Sequence, residues 1–409
     1  MRRRDAMRAL VLISVAGSAV GCADRPAVKV AAVWSGWELT RFRKVIAGFP
    51  RRDAWRVEVL SAGNDLPALI GNQVAGTAAP DIAMVSQPGL IGAEHRDLVP
   101  VTPAPGAPQA WERLLTSDGQ VYGAWFKAAH KSLVWYRPDL LRAVPGTWDE
   151  WVATCRTLAA AGRTPLAIGA ADGWVLADWF ANTLLAVDPA TYQGLIDGTA
   201  SWRHPNVTTA LERLAEMWSI PGAFPGGPAR ALVTQYDESV LDVFRHGHAA
   251  MVAGADFYFP IIRLHGSRTV AAQWFRFPCG PGEQRPLVVG GDAAVLLEPG
   301  GPGGRALIEW LTAPAAASIW AAQGGFLSLD PAVRDYPAGM SELAADIRGG
   351  SVTFGLSDQL GGRLAGADGR GTWKIFKDFF AAVAERPAAV GAAIPEAVGA
   401  LDRASRGRP

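Results

Sequence analysis

A chain of 409 residues is longer than one folding core usually allows and points to two or more domains. Hydrophobic content of 49% against 19% charged residues excludes a disordered chain, and a net charge of +1 without a basic stripe leaves nucleic acid out of the expected partners. Six histidines and three cysteines leave little material for a metal site, so neither metal nor cofactor is expected.

Arg2, Arg3, Arg4 and Arg8 precede a short apolar run from Ala9 to Ala19, too short to span a bilayer. Residues 1–22 therefore read as an export signal. The small residues Ala19-Val20-Gly21 stand directly before Cys22, a lipobox pattern in which Cys22 is lipidated and becomes the first mature residue. Ordinary cleavage with Cys22 incidental is the alternative. No second long apolar run follows, so the expected protein is exported, soluble, and anchored to the outer face of the cytoplasmic membrane through Cys22. Cys155 and Cys279 remain. A disulfide and two separate buried thiols both stay open.

Ala27 to Trp34 reads as a first strand, turned by Ser35-Gly36 into a helix over Glu38 to Phe49. Trp55 to Ser61 is a second strand, Leu66 to Ala75 a helix closed by Gly76, and Pro80 to Val85 a short buried strand. This β-α-β-α-β order predicts a mostly parallel sheet covered by helices, with ligands at the carboxyl ends of its strands. Val121 to Trp125 and Lys131 to Tyr136 read as two more strands, after which the chain crosses into a second lobe. Thr147 and Glu150 are placed for a capping box on a helix running to Ala161. Helices over Gly173 to Val187, Val207 to Trp218 and Tyr236 to Phe244 follow, with strands over Pro165 to Ala170 and Gly247 to Ala253.

Gln273 to Leu297 then holds two strand-like runs around Pro278, Gly280, Pro281, Gly282 and Pro286. Proline and glycine at that density continue neither a ladder nor a helix. The stretch reads as a crossing back to the first lobe, with Gly290, Gly291 and Asp292 near the cleft; an ordinary surface loop in one large domain is the alternative. Helices over Gly304 to Leu311, Ala315 to Gln323, Ser341 to Arg348 and Thr372 to Arg386 close the chain, and Pro299 to Gly304 reads as a flexible tip.

Several of these segments resemble the bacterial extracellular solute-binding proteins of the carbohydrate-uptake type, relatives of maltose-binding protein. Val33-Trp34-Ser35-Gly36 is similar to that family's first strand and turn. Pro80-Asp81-Ile82-Ala83 resembles its third-strand motif. Leu133 to Asp139, Thr147-Trp148-Asp149-Glu150-Trp151, His246 to Met251, Gly290-Gly291-Asp292 and Gln323 to Leu327 follow in the family's order and spacing. Arg137 and His248 depart from the residues usual at their positions. Asp178-Trp179-Phe180-Ala181-Asn182 resembles the α-glucoside-binding branch, with Ala181 where that branch has glutamate. The resemblance implies an α/β, two-lobe periplasmic-binding-protein-like fold (type II), with discontinuous lobes joined by hinge crossings. On that expectation residues 27–127 and 287–327 form lobe 1, and residues 128–286 and 328–409 form lobe 2. It also implies a monomeric, non-catalytic receptor that binds a carbohydrate and delivers it to ABC permease subunits in the membrane.

A sugar presents hydroxyls on its rim and apolar C–H faces, so its receptor needs aromatic rings together with carboxylates and amides. The aromatic candidates are Trp34, Trp37, Trp125, Trp174, Phe257, Phe326 and Trp373. The polar ones are Glu38, Asp65, Gln87, Asp172, Asp178, Asp256, Asp292 and Asp358, with Gly291 beside Asp292. Most tryptophans in a folded chain are packing residues, and Trp148, Trp151, Trp218 and Trp310 are expected there. His246 and His248 lack further ligands nearby for a metal. Within the receptor class, a glycerophosphodiester or an amino sugar is the alternative ligand. A secreted glycoside hydrolase is the distant alternative, because no local pair of acids stands out for it.

Overall fold

The computed structural model describes residues 25–63, 66, 80–104, 106–349, 352–360, 364 and 371–407. Cys22, Asp65 and nearly all of the expected helix over Leu66 to Ala75 lie outside these residues.

Among the described residues, thirteen strands form three sheets. They are β1 (Ala27–Ala32), β2 (Arg56–Ser61), β3 (Ile82–Val85), β4 (Leu98–Val99), β5 (Thr116–Ser117), β6 (Gln120–Val121), β7 (Gly123–His130), β8 (Leu133–Tyr136), β9 (Leu166–Ala167), β10 (Met251–Gly254), β11 (Gln273–Arg276), β12 (Val288–Leu297) and β13 (Thr353–Phe354). The seven-stranded sheet runs β13-β12-β3-β1-β2, with β4 and β7 also paired to β12. A four-stranded sheet runs β11-β8-β10-β9, and β5 with β6 forms a small hairpin.

The large sheet is mixed rather than mostly parallel. β1 runs parallel to β2 and β3, and helix Gly36–Ala47 makes the return from β1 to β2. β12 enters from the other sheet and runs antiparallel to β3, β4 and β7. The Gln273 to Leu297 stretch is a crossing: β11 lies in the small sheet, β12 in the large one, and the Pro/Gly segment spans between them. Gly280 N–H and the Arg213 guanidinium both bond the Glu283 carboxylate, which fixes that turn.

The passage to the second lobe is expected after residue 327. β13 hydrogen-bonds parallel to β12, so the chain as far as Phe354 stays with the large sheet. Helix Met340–Arg348 buries Met340, Leu343, Ala344 and Ile347 in a core that includes Leu133, Trp135 and Val289, behind the first crossing. The expected flexible tip is ordered: Glu298–Gly300 makes one 3-10 turn, and helix Gly301–Leu311 starts directly after it.

Helices Gly173–Val187 and Tyr236–Phe244 have the expected bounds. The Thr147 capping box forms in both directions. Behind it Trp151 stacks on Trp179 at 5.1 Å, with Trp148, Trp218 and Phe277 edge-on or tilted around them. Trp179 is therefore core. Cys155 and Cys279 are both buried and both free, so no bridge joins them. No described helix is long and apolar enough to cross a membrane.

Candidate functional site

Between the two sheets lies a cavity of ≈ 340 Å³, within the size range of small-ligand sites. Strand ends and helix starts build its walls. From the large sheet come Trp34, Ser35 and Glu38 at the turn from β1 into helix Gly36–Ala47, and Ser86 and Gln87 after β3. Lys127 and Ala129 of β7 and Gly291 and Asp292 of β12 make the floor, with Lys131 and Asp358 at the crossings. The other wall holds Asp172 and Trp174 at the start of helix Gly173–Val187, Gln235 and Tyr236 at the start of the next helix, Phe257 after β10, and Trp373.

The aromatic wall is one packed group. Trp174 lies 5.3 Å from Tyr236 and 6.0 Å from Phe257, and Tyr236 lies 5.9 Å from Phe257, centroid to centroid. Trp373 reaches the same wall because residue 173 is glycine: a Cβ there would sit 2.7 Å from Trp373 Cβ. Asp172 accepts from Tyr236 N–H at 2.7 Å, so it ties two helix starts together instead of capping its own helix. Burial raises its pKa above the usual carboxylate value. The Gln87 Nε2 and Trp373 Nε1 donors are buried and have no partner.

Two lysines carry the positive charge of the floor. Lys127 lies 2.6 Å from Glu38 and 3.8 Å from Asp292, and 5.1 to 5.8 Å from the ring centroids of Trp320, Phe257 and Trp34. Lys131 lies 2.7 Å from Asp358 and 3.3 Å from Asp178. Burial works against both ammonium groups, but the paired carboxylates outweigh it and hold both pKa values above the usual lysine value. Burial pushes Asp292 up to about 6 and Asp178 up to about 7, against the pull of the lysines. Neither lysine was singled out in the sequence. The available signal was a lysine inside Ala124-Trp125-Phe126-Lys127-Ala128-Ala129, an apolar strand in which a charge must be paired. Gln235 and Tyr236 were missed as well, because a helix start carries no mark of what it faces.

Of the residues singled out in the sequence, Trp34, Glu38, Gln87, Asp172, Trp174, Phe257, Gly291, Asp292, Asp358 and Trp373 border the cavity. The others that are described do not. Phe326 is fully buried 5.0 Å from Phe126, and Trp34 itself is 4% exposed between Phe42 and Trp320. Trp125 lies behind the floor, its Nε1 donating to Trp111 O, and together with the Lys127 carbonyl it holds residue 291 to glycine: a Cβ there would lie 2.8 Å from both the Trp125 ring and Lys127 O. Trp37 packs under the Arg41 guanidinium and against Gly325. Asp178 lies behind Trp174, in a small cavity shared with Asn182 and Tyr258. Asp256 is fully buried beneath the floor; it accepts from His130 N–H at 2.8 Å, and burial pushes its pKa up to about 7. Position near the end of a strand or helix pointed to the right region, but neighbouring side chains decided which atoms reached the cavity. Among the described residues, no group of three or more His, Cys, Asp or Glu converges as a metal site. His248 pairs with Asp242 instead.

Residues 61–318 match the family described as bacterial extracellular solute-binding protein. The chain is 30% identical over 399 residues to the osmoprotective compounds-binding protein GgtB of Synechocystis, covering 90% of this chain and 92% of that one. It is 28% identical over 332 residues to the alpha-glucosides-binding periplasmic protein AglE of Rhizobium meliloti, covering 72% and 70%. The maltose-bound structure of T. maritima MalE3 superposes with a TM-score of 0.69 at 18% identity, covering 93% of this chain and 99% of that one. The fold is thus the MalE-like, type II periplasmic-binding-protein fold. With that fold and a family match across residues 61–318, the chain belongs to the bacterial extracellular solute-binding proteins and is a solute-binding protein, not an enzyme.

Proposed function

We propose that this protein is the lipid-anchored receptor of an ABC importer and closes over an uncharged carbohydrate, an α-glucoside or a short oligosaccharide. The observation that carries the reading is the composition of the cavity. One wall is the packed rings of Trp174, Tyr236, Phe257 and Trp373, suited to the C–H faces of a pyranose. Facing it are the Glu38 and Asp292 carboxylates and the Gln87 amide, suited to hydroxyls. The alpha-glucosides named for AglE support the same ligand class. A glycerophosphodiester is disfavoured: no arginine lines the cavity among the described residues, and both lysines are already held by carboxylates. We take the moving lobes as residues 27–130 with 288–354, and 133–276 with 371–407. The Ala19 to Cys22 lipobox supports the anchor, and a monomer delivering its ligand to a permease is part of the same proposal.

The test is a thermal-shift screen of the chain lacking residues 1–22 against mono-, di- and trisaccharides, amino sugars and glycerophosphodiesters. A ligand at 100 times its Kd stabilises by about 2.7 kcal/mol, which such a screen resolves. A shift with trehalose, sucrose or maltose is expected. A shift with phosphodiesters alone overturns the ligand class. Incorporation of labelled palmitate into the full chain, lost in Cys22→Ala, tests the anchor; equal labelling of both chains overturns it.

A further inference from the structure

The passages between the two sheets converge on one side chain. Lys131 lies in the first passage, and its N–H donates to Val288 O at the head of β12, where the second passage ends. Ser132 Oγ accepts from Val288 N–H, and Ser132 O accepts from Phe277 N–H at the start of that same passage. The third passage joins through Gly355 N–H, which donates to Val289 O. The Lys131 stem crosses Gly290 so closely that a Cβ there would sit 2.5 Å from Lys131 Cε. Its ammonium then reaches Asp358 of the third passage at 2.7 Å and Asp178 of helix Gly173–Val187 at 3.3 Å. One turn along that helix, Asn182 Nδ2 donates to Lys131 O at 3.1 Å. Lys131 and Asp358 border the ligand cavity, whereas Asp178 does not.

We propose that Lys131 is the positioning residue of lobe closure, and that it couples closure to uptake of one proton by Asp178. Two carboxylates share one ammonium, so the buried triad carries a net negative charge when both are ionised. Burial already pushes Asp178 up to about 7. The other titratable groups around it are Tyr192 and Tyr258, both raised by burial and so neutral, and Asp292, which feels Lys131 from across the floor. Closing the cleft strips water from the triad and penalises the extra charge further. The closed form therefore holds the proton more tightly, and by linkage closure weakens as the pH rises through 7. This rests on the two-lobe receptor fold and not on the identity of the sugar.

The deciding experiment needs no ligand. Spin labels at Leu60→Cys and Val233→Cys, exposed positions on opposite lobes, report the inter-lobe distance from pH 5.5 to pH 8.5. A larger closed fraction at low pH is expected in the otherwise unaltered chain, and none of this pH response in Asp178→Asn or in Lys131→Met, which keeps the stem across Gly290. A distance distribution unchanged with pH, or the same response in both variants, overturns the proposal. Titration calorimetry with trehalose, in buffers of different ionisation enthalpy, provides a second arm. One unit of further pKa rise on closure makes binding about tenfold weaker at high pH than at pH 6. Binding without net proton uptake near pH 7 overturns the coupling, whereas absence of trehalose binding bears on the sugar reading and leaves the distance measurement to decide.

Discussion

Lys127, inside a strand that is buried along its whole length, places its ammonium 2.6 Å from the Glu38 carboxylate at the first turn of helix Gly36–Ala47. The pair joins the floor of the cavity to its wall, and Asp292 completes it from β12. Removing one member of such a pair leaves uncompensated charge behind. Lys127→Met is expected to cost about 3–5 kcal/mol in urea unfolding at pH 7. A loss below about 1 kcal/mol would show the pair to be effectively solvated.

Trp174 and Phe326 separate binding from packing. Trp174 borders the cavity, and Trp174→Ala is expected to weaken sugar binding by about 2 kcal/mol, roughly thirtyfold, with a small change in Tm. Phe326 is fully buried among Phe126 and Trp320, and Phe326→Ala is expected to cost about 3–5 kcal/mol of stability while the folded fraction keeps its affinity. Calorimetry and urea unfolding on both variants check this; affinity loss in the Phe326 variant with unchanged stability would reverse the assignment.

Asp256 gives the protein a specific pH dependence. Its pKa of about 7 in the folded chain lies above the unfolded value of about 3.9, so the folded state holds the proton more tightly. That stability is complete below about pH 4 and is lost as the pH rises through 7, on the order of 1.4 kcal/mol per unit. Asp178 and Asp292 act in the same direction. Asp256→Asn keeps the oxygen that accepts from His130 N–H and removes the ionisable group. Its urea midpoint is expected to exceed that of the parent at pH 8 and to fall less between pH 5 and pH 8; parallel profiles would refute this.

Cys155 and Cys279 are expected to count as two free thiols in the chain lacking residues 1–22, unreactive when native and both reactive in denaturant. Burial raises the Cys155 thiol well above its usual pKa, which slows attack further. Thiol titration with and without guanidinium decides, and zero thiols after unfolding would reveal a bridge.

Several elements were legible because local chemistry specifies them. The Thr147/Glu150 box, helices Gly173–Val187 and Tyr236–Phe244, and the Pro/Gly crossing before β12 all follow from residues close in sequence. The closing helix Val390–Ser405 was missed, because Gly391, Pro395 and Gly399 obscure its apolar face and packing against helices Thr372–Glu385 and Pro205–Trp218 sustains it. β13 was missed because two residues carry no period, and it exists only as an edge of β12.

By itself the sequence determined the alternation of strands and helices, the existence of a crossing near Pro278 to Pro286, and the family resemblance, since each rests on periodicity, turn chemistry or motif order. Only the tertiary structure decided which side chains meet. It turned Trp174 and Trp373 to the cavity, placed Trp125 and Phe326 behind it, and brought Lys131, Asp178 and Asp358 together from three distant segments. A strand end specifies which way a chain runs, whereas the contact of a charge with its partner depends on how separate elements pack, and residues far apart in sequence carry no local trace of that.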